Sequence, residues 1–272
     1  SPFGGLLLRR NGSEIEVEQR LRLGLRRHGD HVDERVPRRQ IAALAGEDHA
    51  VAEAKPRGQG SQRRALGTIA DLVPLVGENR TLVKHGLDQL AVTTRPGLRA
   101  LAEVAGVQLS APGGVTPGRV AFGLAPRINA AGRVDDATVA VRLMLTSDPF
   151  EARELASQLD QRNRERQELE GQILEDALEQ AAATHDLARD RAIVLASPGW
   201  HPGVLGIVAA RLVERFGRPA ALIGTQGKQA RGSVRAAGGW HVADALGRCA
   251  DLLTQYGGHR SAGGFSLEPD RI

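Results

Sequence analysis

The chain has 272 residues, of which 41% are hydrophobic, enough to bury a core in one large or two small domains. No run of about 18 apolar residues occurs, which excludes a membrane-spanning helix, and the single Cys249 excludes an internal disulfide or a cysteine-based zinc cluster. The net charge of +4 resides in residues 1–64, with 13 basic and 9 acidic residues, whereas residues 65–272 carry 23 of each. The basic balance therefore gives no DNA-binding face outside the first quarter, and any nucleic acid would bind through a local pocket. Of the 36 basic residues 33 are arginine; a GC-rich genome is the plainer account, bidentate phosphate binding the other. The start, Ser1-Pro2-Phe3-Gly4-Gly5-Leu6, lacks the basic-then-apolar order of a secretion signal, and a cytoplasmic protein is expected.

In chain order, residues 1–64 are poorly patterned and expected to be disordered or non-native. Lys55-Pro56-Arg57-Gly58-Gln59-Gly60-Ser61 has linker composition. At Ala65 the character changes to dense, patterned sequence. Residues 65–147 read as α-rich, with short helices over 97–105 and 137–145. Asp148-Pro149-Phe150-Glu151 supplies a cap, a proline at the first helical position and an acid three residues after the cap. The helix it opens is expected to reach about Ala183 and to link two lobes through its polar centre, residues 160–170. From residue 190 the order becomes β-α-β-β-α-β: strands at 192–196, 219–223, 229–235 and 262–267, helices at 204–216 and 242–253. The expected class is α/β: a mostly helical part, a connecting helix over 148–185, and a small α/β domain over 190–272.

Four segments carry chemistry. In Ala65-Leu66-Gly67-Thr68-Ile69-Ala70-Asp71-Leu72-Val73-Pro74-Leu75, Asp71 is a lone carboxylate in an apolar run. If buried it needs a partner or a metal; otherwise it caps a helix or turn before Pro74. Around Asn129 and Arg133, in Pro126-Arg127-Ile128-Asn129-Ala130-Ala131-Gly132-Arg133, small residues admit a ligand and arginine offers a phosphate fork. The alternative is a helix–helix contact with Arg133 paired to Asp135 or Asp136. His201, in Gly199-Trp200-His201-Pro202-Gly203, lies in a strand–turn–helix anion-site pattern or serves structure, and Trp200 is more simply packed than stacked on a base. Ser233 and Arg235, two apart on a strand, share a face. Gly257, Gly258, Gly263 and Gly264 flank His259, as suits close approach of a polymer backbone or a tight structural turn.

Together these segments resemble the RecJ branch of the DHH phosphoesterase superfamily, over residues 65–272. The resemblance implies a DHH-associated domain over 190–272, an incomplete DHH domain before it, and a metal-dependent 5′→3′ exonuclease on single-stranded DNA in recombination and repair. It implies Asp71 as a metal ligand and His259 at the scissile phosphate, facing one another across a groove. Asn129, Arg133, His201, Ser233, Arg235, Gly257 and Gly258 would then bind substrate. Two Mn2+ or Mg2+ ions are implied as cofactors, and a single strand with a 5′ end as partner.

The family's paired Asp-His-His and further aspartates are not found upstream of Asp71. His28-Gly29-Asp30-His31-Val32-Asp33 and Asp48-His49-Ala50 have ligand residue types in the wrong order. The expectation is that residues 1–64 are an out-of-frame translation and that the chain is catalytically incomplete. The rival readings are a DHH-type phosphodiesterase of short oligonucleotides or cyclic dinucleotides, and a strand-binding remnant that does not cut.

Overall fold

A computed structural model describes residues 58–272 except 111–113, 135–136, 187–188 and 227–228. The expectations for residues 1–57, including the His28–Asp33 and Asp48–Ala50 stretches, lie outside the described residues. The described chain divides into two compact units, 58–166 and 167–272. No helix among the described residues is long and apolar enough to cross a membrane.

The first unit is helical: α1 (Gly58–Ala70), α2 (Gly77–Ala91), α3 (Pro96–Val104), a single turn Pro117–Arg119, a π-helical segment Val120–Leu124, α4 (Ala125–Val134) and α5 (Thr138–Leu145). Its core gathers Leu66, Ile69, Leu87, Leu90, Leu98, Leu101, Leu124, Leu143 and Leu159, each burial worth roughly 1.5–3 kcal/mol against exposure. Here the linker expected up to Ser61, and the boundary at Ala65, are corrected: residues 58–64 are the first two turns of α1. Ser61 and Gln62 are buried. The Gln62 side chain donates to the Gln89 carbonyl at 2.8 Å and accepts from the Thr93 hydroxyl at 3.3 Å. The pairing needs Gly86 of α2, where a Cβ would come within 2.3 Å of the Ala65 methyl and 2.5 Å of the Ser61 carbonyl. Polar residues in a helix–helix contact carry no hydrophobic period, so composition alone read this stretch as a linker.

The long helix α6 (Pro149–Thr184) starts where its cap predicts. Asp148 Oδ1 accepts from the Phe150 N–H at 2.9 Å. Glu151 turns aside to accept from the Thr146 hydroxyl at 2.5 Å and from Arg142 at 2.6 Å. These bonds, Thr146 first, lower the pKa of its carboxyl from the ordinary glutamate value. Ala152, Leu155, Ala156 and Leu159 join the helical core, whereas Ile173, Ala177 and Ala181 join the core of the second unit.

The second unit holds a five-stranded sheet in the order β1-β2-β3-β5-β4: β1 (Ile193–Ser197), β2 (Ala220–Gln226), β3 (Gln229–Arg235), β4 (Gln255–Gly258) and β5 (Ala262–Leu267). β1 and β2 are parallel, joined by α7 (Pro202–Phe216); the other pairs are antiparallel. Alternation along the strands gives two faces. Ile193, Leu195, Ala220 and Leu222 pack with α7 and the end of α6. Val194, Ala221, Ile223, Val234, Phe265 and Leu267 pack with α8 (Val242–Gly247). The helix expected over 242–253 stops at Gly247 and continues only as a 3-10 turn, Ala250–Leu252. β4 adds a strand to the expected order; Gln-Tyr-Gly-Gly has no apolar alternation to reveal it.

Candidate functional site

In the helical unit two of the four segments meet. α1 ends in a Schellman motif: the Val73 N–H reaches the Thr68 carbonyl at 3.1 Å and the Leu72 N–H the Ile69 carbonyl at 3.1 Å. Leu72 takes the left-handed position, φ 53°, where glycine is the usual residue. Asp71 is therefore the C-cap, and it is exposed. Of the two readings of Asp71, burial in the apolar run or a cap before Pro74, the structure shows the cap. A carboxylate at a helix C-terminus opposes the helix dipole, so Asp71 does not stabilise the helix it ends. Asn129 of α4 donates to the Ala70 carbonyl at 3.5 Å, which brings the Asn129 segment beside Asp71. Arg133 is one turn further along the same exposed side. Asp135 and Asp136, its expected structural partners, lie outside the described residues.

In the sheet unit, register assembles the remaining residues. Leu222, Ser233, Gly264 and Gly257 form one row across four strands, on the face that α7 covers only over β1 to β3. Arg235 shares that face, two residues from Ser233. Its Nη1 donates to the Val234 carbonyl at 2.8 Å, and its guanidinium lies against Gly206 of α7, where a Cβ would come within 2.5 Å of Nη2. His259 occupies the exposed turn between β4 and β5. Its N–H bonds to the Ala262 carbonyl at 2.8 Å, and its Nδ1 accepts from the Ser261 N–H at 3.4 Å. With Nδ1 accepting, the neutral ring carries its proton on Nε2, a donor suited to a phosphate oxygen.

The glycines divide by cause. At Gly258, φ 156°, a Cβ would come within 2.4 Å of the Ala262 carbonyl, and at Gly263 within 2.7 Å of Leu246 and 2.8 Å of Val242. Those two serve the hairpin and its packing. At Gly257 a Cβ would meet nothing within 4 Å, and at Gly264 only the Gly232 carbonyl at 3.7 Å. The fold does not require these two to be bare. Sequence reasoning did not single out Gly264 as a site residue; its pairing opposite Ser233 is visible only once β5 is in register.

His201 caps α7, its Nδ1 accepting from the Gly203 N–H at 3.1 Å, which leaves Nε2 as its donor. Trp200 is packed, not stacked: it is buried, and its indole N–H donates to Asp176 Oδ2 at 2.6 Å. The Trp200 carbonyl lies over Gly224 of β2, within 2.3 Å of where a Cβ would be.

Among the described residues no three His, Cys, Asp or Glu side chains are grouped as a metal ion requires. Asp71 supplies one exposed carboxylate. These residues do not by themselves fit a two-ion centre.

Residues 189–272 match the model of the DHHA1 domain. The five strands, with α7 and α8, all lie within that match. The chain is 42% identical over 210 residues to the single-stranded-DNA-specific exonuclease RecJ of Bacillus subtilis (strain 168), covering 76% of this chain and 26% of that protein. It is 44% identical over 204 residues to RecJ of Thermus thermophilus, 75% of this chain and 28% of that protein. The crystal structure of the Thermus RecJ with Mg2+ superposes with a TM-score of 0.70 at 42% identity, over 79% of this chain and 33% of that one; a second crystal structure of it holds Mn2+. Over the matched residues the chain is similar in sequence and fold to RecJ, and it spans about a quarter to a third of the length of these relatives.

Proposed function

We propose that this chain carries the strand-holding part of a RecJ-type, single-strand-specific 5′→3′ exonuclease of recombination and repair in a bacterial-type cytoplasm. Ser233 and Arg235 hold the 5′ phosphate, with Asn129, Arg133 and His201 as further phosphate contacts. His259 donates from Nε2 to the phosphate of the linkage to be cut, offsetting charge that grows there as the bond breaks. Holding the 5′ end fixes which linkage comes next and hence the direction of digestion. Gly257 and Gly264 leave the strand's backbone room to approach.

The observation that carries this reading is the row Ser233–Gly264–Gly257, bare without structural need and flanked by Arg235 and the His259 turn. In the intact relatives Mg2+ or Mn2+ would supply a Lewis acid and an activated water; here Asp71 contributes one ligand and the described residues complete no centre. The chain as it stands therefore binds strands and cuts poorly. Fluorescence anisotropy with single-stranded oligonucleotides, with and without a 5′ phosphate, should show phosphate-dependent binding in chelator. Labelled strands should survive incubation with Mn2+. Loss of the 5′-phosphate preference would overturn the binding assignment, and rapid Mn2+-dependent digestion would overturn the claim of incompleteness. Hydrolysis of a dinucleotide in preference to a long strand would favour a small-substrate phosphodiesterase instead.

A further inference from the structure

Beyond Ser233 and Arg235, the same face of β3 carries Arg231, exposed two residues from Ser233 toward the Gln229 end of the strand. Register places Gly224, Arg231, Ser266 and Gln255 in the row next to Ser233–Gly264–Gly257. On the other side of that glycine row lie Arg235 and Ala262, followed by the His259 turn. The bare row is therefore the floor of a trough running across β3, β5 and β4. Its walls stand two strand residues to either side of the glycine row, roughly 13 Å apart at 3.3 Å per residue. One wall is Arg235 and the His259 turn. The other is Arg231, Ser266 and Gln255.

Arg231 differs from Arg235 in how it is held. Arg235 is half-buried and pinned between the Val234 carbonyl and Gly206. Arg231 is exposed, and no hydrogen bond or ion pair engages its guanidinium among the described residues. On the β2 side its row is closed by the Trp200 carbonyl lying over Gly224, so a ligand near Arg231 is directed over Ser266 and Gln255, along the trough. A cation with five N–H donors beside a glycine floor matches the phosphodiester of a strand laid in it.

We propose that Arg231, with Ser266 and Gln255 beside it, forms the far wall of this trough and binds a backbone phosphate of the single strand, separate from the 5′ phosphate held by Ser233 and Arg235. The proposal rests on the strand-holding reading above and adds a phosphate subsite to it. Each phosphate neutralised on a single strand releases counterion with a slope of about 0.7 in log K against log salt.

The test is anisotropy of the full chain with a 5′-phosphorylated single strand over a salt series in chelator, comparing R231A, R231K and R248A. Arg248 follows α8, which packs the opposite face of the sheet. R231A should bind roughly five- to ten-fold more weakly, as for one lost charge-assisted contact, with the salt slope smaller by about 0.7. R231K should keep the slope, and R248A should keep both slope and affinity. Equal behaviour of R231A and R248A, with the unaltered chain still binding, would overturn the Arg231 subsite alone. No strand binding by the unaltered chain would overturn the reading beneath it, and the subsite with it.

Discussion

Gly263 and Gly264 are neighbours on β5, yet they face opposite sides of the sheet and are bare for opposite reasons. On the α8 side, Gly263 leaves room for Leu246 and Val242. On the other side, past the reach of α7, Gly264 leaves room for no part of the described fold. A glycine explained by packing says only that the chain folds; one that packing does not explain, in a row with a serine between two arginines, marks where something else approaches. The same division separates Gly258 from Gly257.

Substitution can break this contrast. The largest effect is expected for G263V, which forces methyl groups into the α8 contact: about 3 kcal/mol of destabilisation, measured by thermal or urea unfolding. G264V should leave stability within about 0.5 kcal/mol, since valine suits a strand and its Cβ meets only the Gly232 carbonyl, at the ordinary contact distance of 3.7 Å, yet cut single-strand affinity by about ten-fold or more. If G264V unfolds the protein as G263V does, the two faces are alike and the contrast fails.

A smaller effect with a revealing sign is expected at Asp71. Its carboxylate opposes the dipole of α1, so D71N should stabilise the protein by about 0.5 kcal/mol; a destabilised D71N would give Asp71 a structural duty after all. The smallest effect concerns Glu151. Thr146 and Arg142 lower its pKa in the folded state, so its contribution is present above the ordinary carboxylate range and is lost as pH falls through the lowered folded value. E151Q should remove that acid-side slope from the pH dependence of unfolding and change little at neutral pH. A slope that persists in E151Q would place the proton uptake elsewhere.

Much of this was legible from residue order. The cap at Asp148, the extent of α6, the strands at 229–235 and 262–267, and the shared face of Ser233 and Arg235 follow from local rules of capping and alternation. What escaped depended on contacts distant in sequence. The start of α1 is helical because Gly86 lets two helices touch, and nothing in Gly-Gln-Gly-Ser announces that. β4 lacks an apolar period and exists because β5 offers it an edge. Residue order left Asp71 either buried or a cap, because its neighbours are apolar; the left-handed Leu72, a residue that does not signal such a turn, takes the chain out of the core there and makes it the cap. The two classes of glycine near His259 are identical as letters and separate only when the register shows what each faces.

The most direct test of the trough is an NMR titration of the isotope-labelled chain with a 5′-phosphorylated single strand, following assigned backbone amides. Gly257, Gly264, Ser233 and His259 should shift together in proportion to occupancy while Val242, Leu246 and Arg248 on the α8 side stay in place. Shifts confined to the α8 side, or none at saturating strand, would contradict the assignment.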